Sequence, residues 1–366
     1  MLERRLYFHI DWLMVAAMLL LCCISVAMVY STTWDPARNA APRFYVTQIY
    51  AIAMGLAALV ACLSVDYRRL ADNSHFFYVL VAGLLIYTLF FGAAIGGGRR
   101  WIPLRLFNLQ PSEFAKLAVA LVLAKFFDES RRGNPTTNDL LLGGAMTVVP
   151  FVLIYKEPDL GTAVTLLPIF LGIAYLAGLR LRLLGVVVLA LVIMAPVAWK
   201  FGLRDYQRTR ISTFLDPTQD PRGAGYQQIQ ARLAVGSGGL WGKGFRKGTQ
   251  AQLRYLPVAQ NDFVFSALGE EQGLVGVLVT LGLYLFVILR SLETARLAKD
   301  RLGTYLVIGV LSSFTFQVIY NITMSAGLAP VKGLTLPLMS YGGSSMVATL
   351  AGFGLILNVR MRRFTN

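Results

Sequence analysis

Residues 11–31 read DWLMVAAMLLLCCISVAMVYS, an apolar run long enough to cross the hydrocarbon core of a bilayer. Similar runs recur along the 366-residue chain, which is 56% hydrophobic and only 14% charged, with a mean hydropathy of +0.60. This composition excludes an ordinary soluble core and predicts an all-α protein that crosses the membrane many times. The first run lacks a small-residue cleavage site, so we expect it to remain as the first membrane helix.

About ten apolar runs have the length of a transmembrane helix. They fall at residues 11–31, 45–64, 76–96, 112–127, 139–156, 159–178, 181–200, 263–290, 302–325 and 341–359. An even number of spans places both termini on one side, where the short connections are rich in arginine, as at Arg68 and Arg69. The positive-inside rule assigns that side to the cytoplasm. We therefore expect one transmembrane domain over residues 1–366.

The longest polar stretch, residues 200–262, separates the seventh predicted helix from the eighth. Polar, Gly-rich chain cannot lie in lipid, so we expect a large extracytoplasmic loop. Within it, Tyr226, Ile229 and Leu233 recur at helical spacing, which predicts a short amphipathic helix at the membrane interface. The glycine string of residues 236–244 matches neither the phosphate-loop nor the dinucleotide-loop spacing, so a flexible hinge or a close lipid approach is the better interpretation.

The predicted outer side carries many basic residues, although the positive-inside rule expects few there. Long loops are translocated whatever their charge, so a solvated basic surface accounts for part of this excess. The cluster Arg99-Arg100-Trp101 lies in a short connection and favours binding of an anionic ligand. Further basic candidates on this side are Arg210, Arg246 and Lys332. The net charge of +15 does not indicate nucleic-acid binding, because the basic residues are distributed over two sides of a membrane.

Ionisable residues inside apolar runs are costly and are functional candidates by default. Glu113 and Lys116 share one helix face, where either a mutual ion pair or contact with a ligand explains them. Asp159 lies where a helix N-cap belongs, so capping competes with a role in a site. Glu270 and Glu271 lie two turns into the eighth span, where we expect at least one to face the interior and pair with an arginine.

Asp262 stands at the boundary between the large loop and the apolar helix that begins at Phe263. A carboxylate there can face water on one side and dry protein on the other, which raises its pKa toward useful basicity. An N-cap role is an equal alternative. Residues 329–345, between the last two spans, combine prolines with small hydroxyl side chains such as Ser344. Non-helical backbone at membrane depth must be buried in protein or line a wet cavity, so this segment points to the same outer cavity.

Five strings, spread in order along the chain, resemble the shape, elongation, division and sporulation (SEDS) family of bacterial membrane proteins. They are residues 101–104, 111–117, 157–163, 256–273 and 330–345. Members of this family are peptidoglycan glycosyltransferases that polymerise lipid II at the outer face of the cytoplasmic membrane. The resemblance implies the same activity and location here. It also implies lipid II, the nascent glycan strand, a class B penicillin-binding protein (a transpeptidase) and other elongation-complex membrane proteins as partners.

The resemblance also assigns residues, position by position. It implies that Asp262 is the catalytic aspartate and that Trp101, Glu113, Lys116 and Asp159 line the substrate cavity. The chain departs from the pattern before that aspartate, because many members have a histidine ahead of Thr-Asp where this chain reads Gln-Asn-Asp. Residues 248–253 are similar to the elongation member of the family, whereas residues 332–335 are similar to the division member.

The implied chemistry suits these residue types. An undecaprenyl pyrophosphate leaving group needs charge neutralisation more than a proton, so one general base suffices to activate the acceptor 4-hydroxyl. Direct displacement converts an α-linked donor into a β-linked product, that is, with inversion. Arg99, Arg100, Arg210 and Arg246 are expected to hold the pyrophosphate, with a divalent cation such as Mg²⁺ or Mn²⁺ as an optional helper.

Two rival functions come from other classes. A transporter that flips a lipid-linked precursor would also use intramembrane Glu113, Lys116 and Asp159, but it needs access from both sides and no base at a loop boundary. The second rival is a non-catalytic scaffold for the cross-linking enzyme. Replacement of Asp262 with Ala or Asn distinguishes these hypotheses. If the protein is the enzyme, lipid II polymerisation by the purified protein is lost, while folding and partner binding persist.

Overall fold

The computed structural model describes residues 9–35, 41–95, 98–104, 108–130, 136–179, 205–220 and 223–364, with five single positions between 180 and 204. Eight of the described helices are long and apolar enough to cross a membrane. The predicted all-α polytopic membrane fold is therefore confirmed. Most of the predicted span 181–200 lies outside the described residues, so the count of ten stays a prediction.

Among the described residues, the first half of the chain forms eight helices and a small sheet. They are α1 Trp12–Thr32, α2 Phe44–Ser64, α3 Tyr67–Asp72, α4 Ser74–Phe91, β1 Ala93–Ile95, β2 Gly98–Pro103, β3 Asn108–Leu109, α5 Pro111–Glu129, α6 Thr137–Lys156, α7 Leu160–Val164 and α8 Leu166–Ala177. The described part of the second half adds six helices and two 3₁₀ turns. They are α9 Asp205–Leu215, the turn Pro217–Gln219, α10 Ala224–Ser237, α11 Thr249–Gln252, α12 Val264–Leu297, α13 Arg301–Ser325, α14 Gly343–Met361 and the turn Arg362–Phe364.

The bundle has two chemically distinct ends. At the terminal end, Asp11 ahead of α1 accepts from Arg290 of α12 at 2.8 Å and lies 3.4 Å from Arg360 of α14. One buried carboxylate thus ties three helices together, and it brings the two ends of the described chain to one side, as an even number of spans requires. The opposite end, called the loop end, carries the sheet, helices α9 to α11 and Asp262.

Small residues allow α2 and α14 to pack closely. A Cβ atom on Gly55 would lie 2.5 Å from Leu350 Cδ1, and one on Gly354 would lie 2.8 Å from the carbonyl oxygen of Leu59. Close backbone approach through glycine is how membrane helices gain packing contacts when lipid and side chains are equally apolar. Asn358, which is buried, donates from its amide to the carbonyl groups that end α2.

Helix α12 is broken at Gly273, whose φ of 64° and ψ of −162° are not helical. The glycine string of the large loop fills the break. The amides of Lys243 and Gly244 donate to the carbonyl groups of Glu270 and Glu271 at 2.9 and 3.0 Å. The amides of Leu274 and Val275 in turn donate to the carbonyl groups of Gly239 and Leu240 at 2.9 and 3.2 Å. Loop backbone therefore replaces helical hydrogen bonds on both sides of the interruption.

This insertion explains the glycines, for which the sequence suggested a hinge or a lipid contact. A Cβ atom on Gly242 would lie 2.1 Å from the carbonyl oxygen of Glu271, and one on Gly238 would lie 1.9 Å from that of Gly269. Gly242 also has a φ of 78°, which disfavours any other residue. The string is thus a packed insert, and its glycines permit the close approach of two backbones.

A helix is present where the sequence predicts one in the large loop, as α10, and its place at a membrane interface stays a prediction. Its buried side is formed by Gln228, Ala231 and Ala234. Ile229 and Leu233 are 39% and 52% exposed. The small residues pack against the bundle, and the larger apolar residues face outward, as expected for a helix at a membrane interface.

Residues 326–342, between α13 and α14, have no regular secondary structure although much of the segment is buried. At membrane depth such backbone needs partners from the protein itself. Side chains from α1, α2, α12 and α13 donate to its carbonyl groups. These bonds are Ser25 Oγ to Met339 at 2.7 Å, Gln48 Nε2 to Ser340 at 3.1 Å, Tyr284 Oη to Pro337 at 2.5 Å, Tyr320 Oη to Pro330 at 2.8 Å and Asn321 Nδ2 to Leu334 at 2.7 Å.

Replacing Gln48 with Ala should lower the thermal unfolding midpoint in detergent, because it strips partners from the Ser340 carbonyl and the Gly342 amide. A cost of about 1–3 kcal/mol is expected for leaving such buried groups unpaired. Ser64→Ala on the same helix is the control, since its exposed hydroxyl only bonds back to Val60. Equal midpoints for both variants would contradict this account of the segment.

Candidate functional site

The small sheet carries the Arg99-Arg100-Trp101 cluster to the loop end. Strand β2 pairs antiparallel with β1 and with β3. Alternation along the strand leaves Arg99 exposed, while Arg100 is half-buried and its Nη1 lies 3.5 Å from Asp159 Oδ2. Arg100 Nε and Trp101 Nε1 are buried and have no hydrogen-bond partner among the described residues. Two donors of the cluster thus lack an acceptor within the described structure.

Asp159 performs the capping role that its position predicts, and it also contacts the cluster. Its carboxylate accepts from the Thr162 amide and hydroxyl at 3.1 and 2.9 Å. It also accepts from Gln110 Nε2 at 3.0 Å. With the Arg100 contact, Asp159 joins the sheet to the starts of α5 and α7. It can therefore cap α7 and also belong to the candidate site.

Asp262 lies in the turn before α12 and does not cap it, because the N-cap position belongs to Phe263. The Asp262 backbone carbonyl accepts from Asn321 Nδ2 at 3.0 Å, which fixes the turn against α13. The carboxyl group faces the segment between α13 and α14, since a Cβ on Gly333 would lie only 3.6 Å from Asp262 Oδ2.

The electrostatic surroundings of Asp262 make it a weaker acid than usual. Burial raises the pKa of its carboxyl from 3.8 to about 6, and Asp159 adds to the rise. The positive charges of Arg210 and Arg100 oppose it. Burial, followed by repulsion from Arg210, lowers the pKa of Lys332, whose Nζ lies 5.8 Å from the Tyr320 ring centroid. Three cations and two carboxylates thus act on one another at the loop end.

Glu113 and Lys116 form the ion pair that their spacing allows, at 2.8 Å, and both are buried. Lys116 Nζ also donates to Gln317 Oε1 at 3.2 Å. The pair lines a cavity of about 30 Å³ together with Ser313. Ser313 Oγ and Gln317 Nε2 have no partner within the described part of the chain, so the cavity suits ordered water.

Ser344 and Arg246 are engaged with the framework of the protein. The buried Ser344 hydroxyl accepts from the Gln110 amide at 2.8 Å and donates to the Asn108 carbonyl at 2.9 Å. The Arg246 guanidinium lies 4.4 Å from the Trp34 ring centroid at the end of α1. Their proposed contacts with substrate stay predictions, and the contacts observed are with the protein itself.

Glu157 is a site neighbour to which the sequence analysis gives no role beyond its place at the start of the string 157–163. Its buried carboxylate accepts from the Thr88 hydroxyl, and its Oε2 atom has no partner in the described ranges. Burial raises the pKa of this carboxyl to about 7. Its position two residues before Asp159 was the available signal, but only the fold shows that it points inward beside the cluster of β2.

These features define an integral membrane protein that gathers cations and a carboxylate of raised pKa at one end of its helix bundle. The chain belongs to the cell cycle protein family of FtsW, RodA and SpoVE, whose model matches residues 11–364.

Its relatives come from more than one branch of that family. Peptidoglycan glycosyltransferase MrdB of Escherichia coli (strain K12) is 37% identical over 355 residues, covering 97% of this chain and 94% of MrdB. The probable peptidoglycan glycosyltransferase FtsW of Geobacter metallireducens is 36% identical over 352 residues, covering 93% of this chain and 92% of that protein. These identities are too similar to separate the branches.

Solved structures agree with the fold over nearly the whole chain. One chain, from work on the structural coordination of polymerization and crosslinking by a peptidoglycan synthase complex, has a TM-score of 0.83 at 32% identity and covers 98% of this chain and 99% of its own. The rod shape determining protein RodA of Thermus thermophilus has a TM-score of 0.73 at 29% identity, with 98% of each chain covered.

Asp262→Asn should stabilise the folded protein at neutral pH. A pKa raised from 3.8 to about 6 means that ionisation costs the folded state more than the unfolded state. That penalty is absent below about pH 4 and complete above about pH 6. The gain, on the order of 1 kcal/mol at pH 7, should therefore shrink as the pH falls toward 4. Thermal unfolding in detergent measures it, and a less stable variant at pH 7 would contradict the account.

Proposed function

We propose that this protein is a SEDS peptidoglycan glycosyltransferase that polymerises lipid II at the outer face of the bacterial cytoplasmic membrane. The observation that carries the proposal is the carboxyl of Asp262, half-buried beside the cations Arg210 and Arg100 at the loop end. Membership of the family and the activity named for MrdB support the reaction class.

The loop end is assigned to the outer face and the terminal end to the cytoplasm. The helix ends and connections at the terminal end hold Arg68, Arg290, Arg360 and Arg362, each paired with a carboxylate there. A concentration of arginine in short connections marks the cytoplasmic side. A lipid-linked substrate would then meet Asp262 where the outer leaflet ends.

In this reaction Asp262 acts as the general base. With a pKa of about 6 it is ionised at neutral pH, yet basic enough to take the proton of the acceptor 4-hydroxyl. The freed oxygen attacks C1 of the donor sugar, the bond from C1 to the diphosphate oxygen breaks, and undecaprenyl diphosphate leaves. Attack from the opposite face inverts the α-linked donor into a β-linked product.

The neighbouring cations would neutralise the leaving group. Arg100 and Arg210 act on the charge of Asp262, and Arg210 also acts on Lys332. Arg100 Nε and Trp101 Nε1, which are unpaired among the described residues, would offer additional donors. Charge-assisted bonds of this kind strengthen as negative charge develops on the departing oxygen. Arg99 is exposed and Arg246 stacks on Trp34, so they would act at a greater distance from the reaction.

A divalent cation enters the proposal as a companion of the diphosphate. Within the described ranges no group of three His, Cys, Asp or Glu side chains is arranged to hold a metal ion. Mg²⁺ needs only one or two carboxylates when phosphate oxygens supply further ligands, and Asp159 fits that requirement. Such an ion would add to the charge neutralisation of the leaving group.

Removal of divalent ions should therefore lower polymerisation by the purified protein. We expect EDTA to reduce the rate at least tenfold, and added Mg²⁺ or Mn²⁺ to restore it. The unfolding temperature, measured in parallel, should stay unchanged because the fold does not depend on the ion. An unaltered rate in EDTA would remove the cation from the mechanism.

The proposed partner is a class B penicillin-binding protein that cross-links the glycan product. The similarity to a chain of a peptidoglycan synthase complex that couples polymerization and crosslinking supports this pairing. Other membrane proteins of the elongation complex are proposed on the strength of the similarity to RodA, whereas the division branch, with FtsW, has the same chemistry.

Asp262→Asn and Asp262→Ala should abolish lipid II polymerisation by the purified protein, because both variants lack the carboxylate that takes the proton of the acceptor hydroxyl. The loss should reach about a hundredfold or more. Wild-type activity should also fall below about pH 6 as Asp262 becomes protonated. Binding of the partner protein provides the control for folding. Retained polymerisation in either variant would favour the transporter or the scaffold.

A further inference from the structure

We propose that Glu270 is a positioning residue for Asp262. In this proposal it clamps the inserted loop to the first half of the broken helix α12, and the clamped loop holds the turn that presents the reactive carboxyl. The inference rests on the proposed role of Asp262 as the base, and it assigns a function to a buried carboxylate that the reaction itself does not use.

Glu270 is buried and has four donors, all from the loop. Its Oε1 accepts from Lys243 Nζ at 2.7 Å, from the Thr249 amide and hydroxyl at 2.9 Å each, and from the Gln250 amide at 3.2 Å. The sequence predicts an arginine as the partner of this acid, and the structure supplies Lys243 instead. The two amides start helix α11, so Glu270 supplies the cap that the short helix lacks from its own N-cap residue.

Helix α11 in turn packs against the turn that carries Asp262. Ala251 belongs to a small apolar core that is separate from the main core of the bundle. The other buried members of this small core are Ala231, Leu256, Ala259, Phe263, Met324 and Val331. Ala259 and Phe263 flank Asp262 in sequence, and Val331 precedes Lys332. Contacts therefore run without interruption from Glu270 through α11 to both sides of the reactive carboxyl.

Charged groups from several elements lie near Asp262, so the pKa of its carboxyl depends on where the turn holds it. Arg210 comes from α9, Arg100 from β2 and Asp159 from the start of α7, while the Lys332-Gly333 turn lies against the carboxylate. A looser turn would admit water and separate the carboxylate from these groups. Its pKa would then fall toward the ordinary value of 3.8, and the base would be both weaker and misplaced.

The neighbouring acid ties the same loop at a different point. Glu271 is also buried, and its carboxylate accepts from the Ser31 hydroxyl of α1, at 2.6 and 2.7 Å. It also accepts from the backbone amides of Arg246 and Gly248, which lie in the loop ahead of α11. Glu271 therefore joins α12 to α1 and to this part of the loop, whereas Glu270 binds the two amides that begin α11.

The test compares the rate of lipid II polymerisation and its pH dependence in four variants. Glu270→Ala removes the clamp, and Glu270→Gln keeps a carbonyl acceptor for the α11 amides. Gly242→Ala blocks the insertion of the loop, because its Cβ would lie 2.1 Å from the Glu271 carbonyl oxygen. Gly236→Ala is the matched control in the same loop, since beyond its own turn of helix the added Cβ meets no other described residue within 4 Å.

We expect Glu270→Ala and Gly242→Ala to lose roughly tenfold to a hundredfold in turnover. The acidic midpoint of their activity should move below that of the wild type, because the pKa of a less buried Asp262 carboxyl falls toward 3.8. Glu270→Gln should recover most of the rate, and Gly236→Ala should match the wild type. Hydrogen exchange should accelerate at the amides of residues 249–263 in the two damaged variants only.

Two results would overturn the inference. One is a Glu270→Ala protein with the turnover and acidic midpoint of the wild type. The other is a reduced rate with an unmoved midpoint and no rescue by Glu270→Gln, which indicates general destabilisation. Failure of the proposed function is recognised separately, because an active Asp262→Asn protein removes the base whatever the exchange of residues 249–263 shows.

Discussion

Hydrogen bonds to interrupted backbone at the loop end are the interaction on which the rest of this structure depends. A membrane helix satisfies its own amides and carbonyls, so each interruption exposes groups that lipid cannot pair. Two such interruptions lie near Asp262 within the described residues. The break at Gly273 is filled by loop backbone, and the segment between α13 and α14 is held by side chains from four helices.

These hydrogen bonds allow polar backbone and charged side chains to lie at the loop end of the bundle. An unbroken bundle would present only apolar surface at this depth, whereas the two interruptions bring polar groups and charges to the edge of the bundle without leaving the framework unpaired. Asn321 is one side chain that contacts both parts of the site. Its amide donates both to the Leu334 carbonyl of the irregular segment and to the Asp262 carbonyl, so one side chain sets the relative position of two parts of the site.

The sequence predicted the bundle well because hydrophobic runs and charge patterns are local signals. The predicted span 11–31 became Trp12–Thr32, the capping role of Asp159 is present, and the ion pair of Glu113 and Lys116 follows from their spacing. The small sheet was not predicted, since strands of two to six residues give little periodicity. The partners of Asn321 and Glu270 lie far apart in sequence or in a loop, and no local pattern specifies such contacts.

The site was predicted in part for the same reason. Asp262 stood out because it marks a boundary between polar and apolar sequence, and Arg100 because it breaks the expected charge distribution. Arg246 has the same charge, but its contact with Trp34 depends on how the loop folds back on α1. Glycines 238 and 242 suggested flexibility from composition alone, yet the fold uses them for close contact with the broken helix.

The claim at the centre of this account is that Asp262 is a base poised by its partial burial. Isotope-edited infrared difference spectra between the wild type and Asp262→Asn would follow the protonated carboxyl of this residue across pH, and the same samples would give the rate of lipid II polymerisation. The account predicts that the carboxyl signal disappears with a midpoint near pH 6 and that the rate rises at the same midpoint. A carboxyl that ionises near its ordinary value of 3.8, or a rate that rises at an unrelated pH, would contradict it.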